Sequence, residues 1–240
     1  MFKVYGMVSD NRPLLVITAR FGSKRFPGKV LRPFWKDYSI LEFLIKRLQT
    51  RQETSRITLA TVNSRENDPV AKIGNKCGVK VVRGPEKNVL ERVSLAVKGE
   101  DAAYIGRVTA DNPFTDPELF ILQWEAMKNV NADYSYCKES PNGSATDIWT
   151  VESFEASVEN ASTNYELEHI NAWVWDHPEL YKVLWFIPPQ KYISPDLSLS
   201  IDTKDEFVCV GNCAMSFEDP LRASINDLIK ITFHKKKTFP

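Results

Sequence analysis

Residues Ala19–Leu31, ARFGSKRFPGKVL, place Arg20, Lys24, Arg25 and Lys29 around Gly22, Ser23 and Gly28. Backbone N–H groups freed by glycine, next to cationic side chains, suit a polyphosphate. The same residues also suit a solvated basic turn, and residue types alone leave both readings open. A Walker A loop is excluded by spacing, because it needs four residues between its glycines and then Lys followed by Ser or Thr. Here five residues separate Gly22 from Gly28, and Val30 follows Lys29. Pro27 also stiffens the turn and removes a donor.

A bound polyphosphate calls for a hard divalent cation held by oxygen ligands. Asp111 in VTADNP and Asp202 in LSLSIDTKDE each follow an apolar, strand-like run and are the candidate ligands. For either one, an Asx-turn or helix cap is the competing reading. Asp116, directly before Pro117, reads as a helix cap.

The elements that would position these groups alternate through the first half. LLVITA, ITLATV, VKVVRG and AAYIGRVTA read as strands. SILEFLIKRLQ, DPVAKIGNKCG and NVLERVSLAVK read as helices between them, the first with Ser39 and Glu42 spaced as a capping box. Alternation of this kind means parallel pairing and right-handed crossovers, hence a doubly wound, mostly parallel α/β sheet. Ligands of such sheets bind beyond the carboxyl ends of the strands. Topology therefore sends the basic turn and ADNPFTDP to one crevice, which favours the polyphosphate reading.

After about residue 130 the rhythm changes. ADYSYC, TDIWTV and YKVLWFI read as strands, with SFEASVENA and YELEHINAWVWD helical between them. The expectation is one domain over residues 1–240, with a small antiparallel and helical subdomain at about 130–195. Trp124, Trp149, Trp173, Trp175 and Trp185 belong either to its core or to a protein interface.

Thirty-one basic residues balance thirty-one acidic ones, so bulk charge makes no case for nucleic acid. The tail HKKKTFP reads as a frayed terminus. No run is long enough to span a membrane, and MFKVYGMVSDNRP lacks the apolar core of a signal peptide. Cys77, Cys137, Cys209 and Cys213 form no C-x-x-C pair, and three scattered histidines supply no zinc pattern. Reduced thiols in the cytoplasm are the expectation.

The basic turn resembles the A-R-x-G-S-x-R-[LF]-P-G-K-x-L signature of the cytidylyltransferases that make CMP-activated sugars. These include the 3-deoxy-manno-octulosonate, acylneuraminate and spore-coat polysaccharide types, and the chain is most similar to the last. VVRGPEKNVLERV, RVTADNPFTDP, YELEHINAWVWDHPELY and LSLSIDTKDE follow in the family's order, so the resemblance runs from about residue 14 to 208.

The resemblance implies a nucleotide-diphospho-sugar transferase-like, Rossmann-like fold. It also implies transfer of CMP from CTP to a sugar or sugar-acid acceptor, with release of pyrophosphate, in surface polysaccharide or glycoconjugate synthesis. By matching position, Ala19, Arg20, Gly22, Ser23, Arg25 and Lys29 would contact the triphosphate, and Arg83, Gly84 and Asp111 would lie near the nucleotide. Asp111 and Asp202 would hold Mg2+ and, with Arg20 and Lys29, form the catalytic set. Glu168 and His169 would face the acceptor, and a homodimer through the second half is implied. Thr18 stands where the spore-coat type commonly has Gln, and Leu167 where it has Arg, so the acceptor stays unspecified. A same-fold transferase using another nucleoside triphosphate, or a silent nucleotide-binding scaffold, are the alternatives.

Overall fold

A computed structural model describes residues 12–238; the reading of the first eleven residues as free of a signal sequence lies outside them. Strands β1 Leu14–Ala19, β2 Pro33–Trp35, β3 Tyr38–Ser39, β4 Ile57–Val62, β5 Lys80–Gly84, β6 Tyr104–Thr109, β7 Tyr134–Cys137, β8 Asp147–Thr150 and β9 Val183–Phe186 alternate with helices. The helices are α1 Ile40–Leu48, α2 Asp68–Lys76, α3 Val89–Val97, α4 Pro117–Val130, α5 Val151–Asn160, α6 Asn164–Glu168, α7 Ala172–Asp176, α8 Lys204–Ala214 and α9 Ile225–Thr238.

A seven-stranded sheet runs in the order β5-β4-β1-β6-β8-β7-β9. The pairs β5/β4, β4/β1 and β1/β6 are parallel, β8 runs antiparallel to β6 and β7, and β9 is again parallel to β7. This is the mostly parallel, doubly wound sheet that the alternation predicts. The three second-half strands extend that sheet, and β8 alone reverses direction.

Strand β1 is buried throughout, as an apolar strand covered on both faces must be. Its alternation splits two cores. Leu15 and Ile17 pack with Leu44 and Leu48 of α1 and with Phe120 and Met127 of α4. Leu14 and Val16 face Leu90 and Val93 of α3, Phe154 of α5 and Val174 of α7. Trp149 and Trp124 are core, whereas Trp175 and Trp185 remain about 45% and 46% exposed.

A third cluster lies beyond the carboxyl ends of the strands. Phe34, Trp35, Phe43, Phe114, Ile201, Val210 and Ile225 meet there, and Phe26 inserts from the basic turn. Phe26 stacks edge-on against Phe207 of α8, with ring centroids 5.6 Å apart. This apolar plug anchors an otherwise cationic turn.

Four local expectations are corrected. Ser39 caps α1 by accepting from the Glu42 N–H at 3.2 Å, but the Glu42 carboxylate pairs with Lys76 at 2.9 Å instead of closing a capping box. YELEHINAWVWD is not one helix: the backbone at His169 leaves helical space, splitting α6 from α7. LSLSI is not a sheet strand; it is an extended segment with a single bridge, Asn142 to Ser198. The tail is not frayed at its start, because α9 buries Ile225 and Leu228 and continues as helix to Thr238.

Candidate active site

A cleft of about 420 Å³ opens at the carboxyl ends of β1 and β6, where the topology requires it. Ala19, Arg20, Gly22, Ser23, Arg25, Lys29, Asp111, Glu168, His169 and Asp202 all line it. Of the residues expected at the site, only Arg83 and Gly84 do not.

The turn's shape follows from its sequence. Gly28 adopts a left-handed φ of 67°, and a Cβ there would come within 3.0 Å of the Phe21 ring. The Gly28 N–H donates to Phe21 O at 3.0 Å, and the Ser23 hydroxyl accepts from the Phe26 N–H at 3.3 Å. Among the described residues, nothing accepts from the N–H groups of Gly22, Ser23, Lys24 or Arg25. All four residues line the cleft amid cationic side chains.

Asp111 and Asp202 are 91 positions apart in sequence (111 and 202) and meet through a single cation. The buried Lys29 ammonium donates to Asp111 Oδ2 at 2.7 Å, Asp202 Oδ1 at 2.9 Å and Ile201 O at 2.8 Å. Arg25 pairs with Asp202 Oδ2 at 2.9 Å. The extended segment makes this possible: the Ile201 N–H donates to Asp111 O at 2.9 Å, and a Thr203–Glu206 capping box starts α8 directly after Asp202. Burial alone would push the Asp202 carboxyl up. Hydrogen bonds and charge from Lys29, reinforced by Arg25, outweigh it and hold the group below the usual carboxylate range. Lys29 therefore does not point outward as a phosphate arm; its ammonium sits between the carboxylates, and the residue is 7% exposed.

These carboxylates fit a cation. Two hard oxygen donors already converge on one positive group, and magnesium takes one or two carboxylates plus phosphate oxygens. No cluster of three or more His, Cys, Asp or Glu capable of holding a metal occurs among the described residues, so the remaining ligands would come from substrate or water.

Arg20 lies at the outer edge, 4.0 Å from Glu86. Glu168 and His169 are exposed at the opposite rim, where His169 packs on Tyr165 with ring centroids 4.6 Å apart. Arg83 is directed away, to Asp68 at 2.7 Å and Ser64 O at 3.2 Å. Together with Gly84 it lines a separate shallow depression. A Cβ on Gly84 would meet Arg92 and Leu95 at 3.1 Å, so this glycine lets α3 approach the sheet.

Two arginines that the residue-by-residue reading omitted also line the cleft. Arg92 on α3 donates to Pro85 O at 2.7 Å and Glu86 O at 3.2 Å. Burial, helped by the nearby charges of Arg20 and Arg107, pushes its guanidinium down to about 10. Its signal was the last position of RGPEKNVLER. Arg107 is a charge inside the apolar strand β6. Burial lowers its pKa against the pull of Asp147 and Asp111. Its cross-strand partner is Asp147, which burial raises to about 6 although Arg107 and Tyr134 oppose the shift.

Comparison with known proteins bears on the chain as a whole. A family model described as "Cytidylyltransferase" matches residues 14–230. An uncharacterized protein of Methanocaldococcus jannaschii is 35% identical over 192 residues, 80% of this chain and 79% of its own. The spore coat polysaccharide biosynthesis protein SpsF of Bacillus subtilis is 31% identical over 202 residues, covering 82% of this chain and 84% of that one. Among solved structures, a cytidylyltransferase from Leptospira borgpetersenii superposes with a TM-score of 0.87 at 26% identity, covering 95% of this chain and 96% of that one.

Proposed function

Because the chain belongs to the cytidylyltransferase family, and so to the nucleotidyltransferases, we propose that it transfers CMP from CTP to a sugar-type acceptor, a sugar acid foremost, and releases pyrophosphate. The observation that carries this reading is the cleft itself. It is lined by Arg20 and by Gly22, Ser23, Lys24 and Arg25, whose N–H groups have no acceptor among the described residues, together with two carboxylates that share Lys29, one of them also paired with Arg25.

In this reading the Gly22–Arg25 donors and the Arg20 and Arg25 guanidinium groups hold the outer phosphates, arginine offering bidentate geometry. An acceptor hydroxyl oxygen attacks the α-phosphorus. The new O–P bond forms as the bond to the bridging oxygen breaks, and pyrophosphate leaves. His169, at the acceptor rim with Glu168, is our candidate for taking the hydroxyl proton. Such chemistry asks chiefly for positioning and electrostatic stabilisation. Asp111 and Asp202 would hold Mg2+, which when bound supplies charge neutralisation and acidifies an acceptor hydroxyl. Lys29 keeps the two carboxylates together. Arg83 and Gly84, which lie outside the cleft, enter only as a support for the nucleotide through the neighbouring Pro85 and Glu86 backbone.

The segment of about 130–195 is our candidate for acceptor binding and for a homodimer contact, with Trp175, Trp185 and Ile187 exposed on it. A cytoplasmic setting is consistent with four free cysteines; no helix among the described residues is long and apolar enough to cross a membrane. The test is pyrophosphate release from each of the four nucleoside triphosphates with a panel of sugar acids and sugar phosphates. The reading requires release with CTP and an acceptor; release only with another triphosphate overturns the choice of base.

A further inference from the structure

A second cavity of about 160 Å³ adjoins the cleft and shares Arg107 and Thr109 with it. Arg107 is the only cation among its lining residues, and the turn residues that grip phosphate do not reach it. Hydroxyl and amide groups from Thr109, Asn112, Ser140, Asn142 and Thr146 line it, with Tyr136, Cys137 and the single carboxylate of Asp147.

Arg107 is conspicuous for what its side chain does not do. Among the described residues it makes no hydrogen bond and no close ion pair, and its Nε is fully buried without a partner. Its backbone is engaged in the sheet between β1 and β8, and its carbonyl also accepts from the Thr146 hydroxyl. Neighbouring Asn112 is similar: its Nδ2 donates to Thr109 Oγ1 at 2.6 Å, while its Oδ1 is buried and unpaired. A guanidinium nitrogen buried without an acceptor is costly, while Arg107 as a whole stays half-buried along both cavities, where a ligand can complete it.

We propose that Arg107 reads the carboxylate of an acidic, polyhydroxylated acceptor seated in this second cavity. The inference rests on the transferase reading above, which already favours a sugar acid, and adds the residue that would read the acid group. One planar fork of donors matches one carboxylate bidentately. A phosphate dianion would call for more than one cation, and this cavity offers no second. The ring of hydroxyl and amide groups suits the hydroxyls of a sugar. Sitting where the two cavities join, Arg107 would hold the acid end of the acceptor and so direct its reacting hydroxyl toward the cleft. Arg107 is thus a specificity-determining residue.

The test compares sugar acids with their own carboxamides and with matching sugar phosphates. Each is titrated calorimetrically in the presence of CTP and assayed for pyrophosphate release. The wild type is expected to bind and use an acid at least about tenfold better than its carboxamide or a sugar phosphate. Arg107→Gln is expected to raise the KM for the acid about tenfold to a hundredfold, remove the preference over the carboxamide, and leave the KM for CTP within about twofold. Arg107→Lys should regain part of the loss. Wild-type use of carboxamide or sugar phosphate as well as the acid overturns the proposal without any variant. So does an Arg107→Gln effect on CTP as large as that on the acceptor. Acid binding that depends on Arg107 without any pyrophosphate release would overturn the transferase reading alone.

Discussion

Asp111 and Asp116 lie five positions apart in one loop, ADNPFTDP, and have opposite fates. Asp116 is saturated by the protein. Its Oδ1 accepts from the N–H groups of Glu118 and Leu119 at 2.8 and 2.9 Å, and its Oδ2 from Arg47 and the Ile225 N–H, both at 3.2 Å. Arg47 in turn donates to Thr115 O, Pro220 O and Leu221 O, so the pair ties α1, the start of α4 and the C-terminal segment into one dry knot. Burial lowers the Arg47 pKa, with the Asp116 charge opposing the shift. Asp111 takes a single bond, from Lys29 to Oδ2, and stays partly exposed to the cleft. A carboxylate whose acceptor sites are filled by its own chain is structure; one left with spare lone pairs beside free donors is available for chemistry.

That contrast is broken most sharply by exchanging the outcomes of mutation. Asp111→Ala should lower kcat at least about a thousandfold while the melting temperature stays near that of the wild type; normal turnover would remove Asp111 from the mechanism. Arg47→Met should do the reverse. Leaving Asp116 as an uncompensated buried charge costs about 3–5 kcal/mol. At about 2–4 °C per kcal/mol for a domain of this size, that is a fall in Tm of about 10 °C. The kcat of the remaining folded enzyme should be unchanged, and calorimetry alongside a pyrophosphate assay separates the two effects.

Within the cleft, Arg20→Ala should weaken CTP about tenfold and leave CMP nearly unaffected, because only the triphosphate reaches the outer edge of the turn. Equal losses in equilibrium binding would take that arginine off the outer phosphates. The smallest effect concerns Asp147. Its folded-state pKa of about 6 lies above the unfolded value of about 3.9, so the folded protein holds its proton more tightly. Stability from this group is therefore full below the unfolded value and is lost as pH rises through about 6. Asp147→Asn lacks this dependence, and its Tm relative to wild type should move upward by a few °C between pH 4.5 and 7.5. A flat difference across that range would show that the carboxyl is not raised.

Much of this arrangement was legible in the sequence. The apolar runs and capping residues of the first half wrote out the parallel sheet, and Gly28, Pro27 and the basic residues marked the turn at its carboxyl edge. Asp-Pro marked the Asp116 cap. What resisted reading was contact across long separations. Nothing local says that Lys29 turns inward to Asp111 and Asp202, or that Arg83 is taken by Asp68. Extended segments were overread as strands: LSLSI has the alternation of a strand, but Asn142 and Asp111 bind its backbone where a sheet neighbour would. Arg107 was visible as a charge in an apolar run, yet its lack of partners emerges only from the packed structure.

If Asp111 and Asp202 form a metal-supported seat for the nucleotide, metal and CTP must bind together. Titration calorimetry of CTP into the wild type and the Asp111→Asn/Asp202→Asn double variant, each with and without Mg2+, reads this coupling. Mg2+ should tighten CTP binding to the wild type at least about tenfold and do nothing for the double variant. Equal affinity with and without Mg2+ in the wild type, or an undiminished metal effect in the double variant, would contradict it.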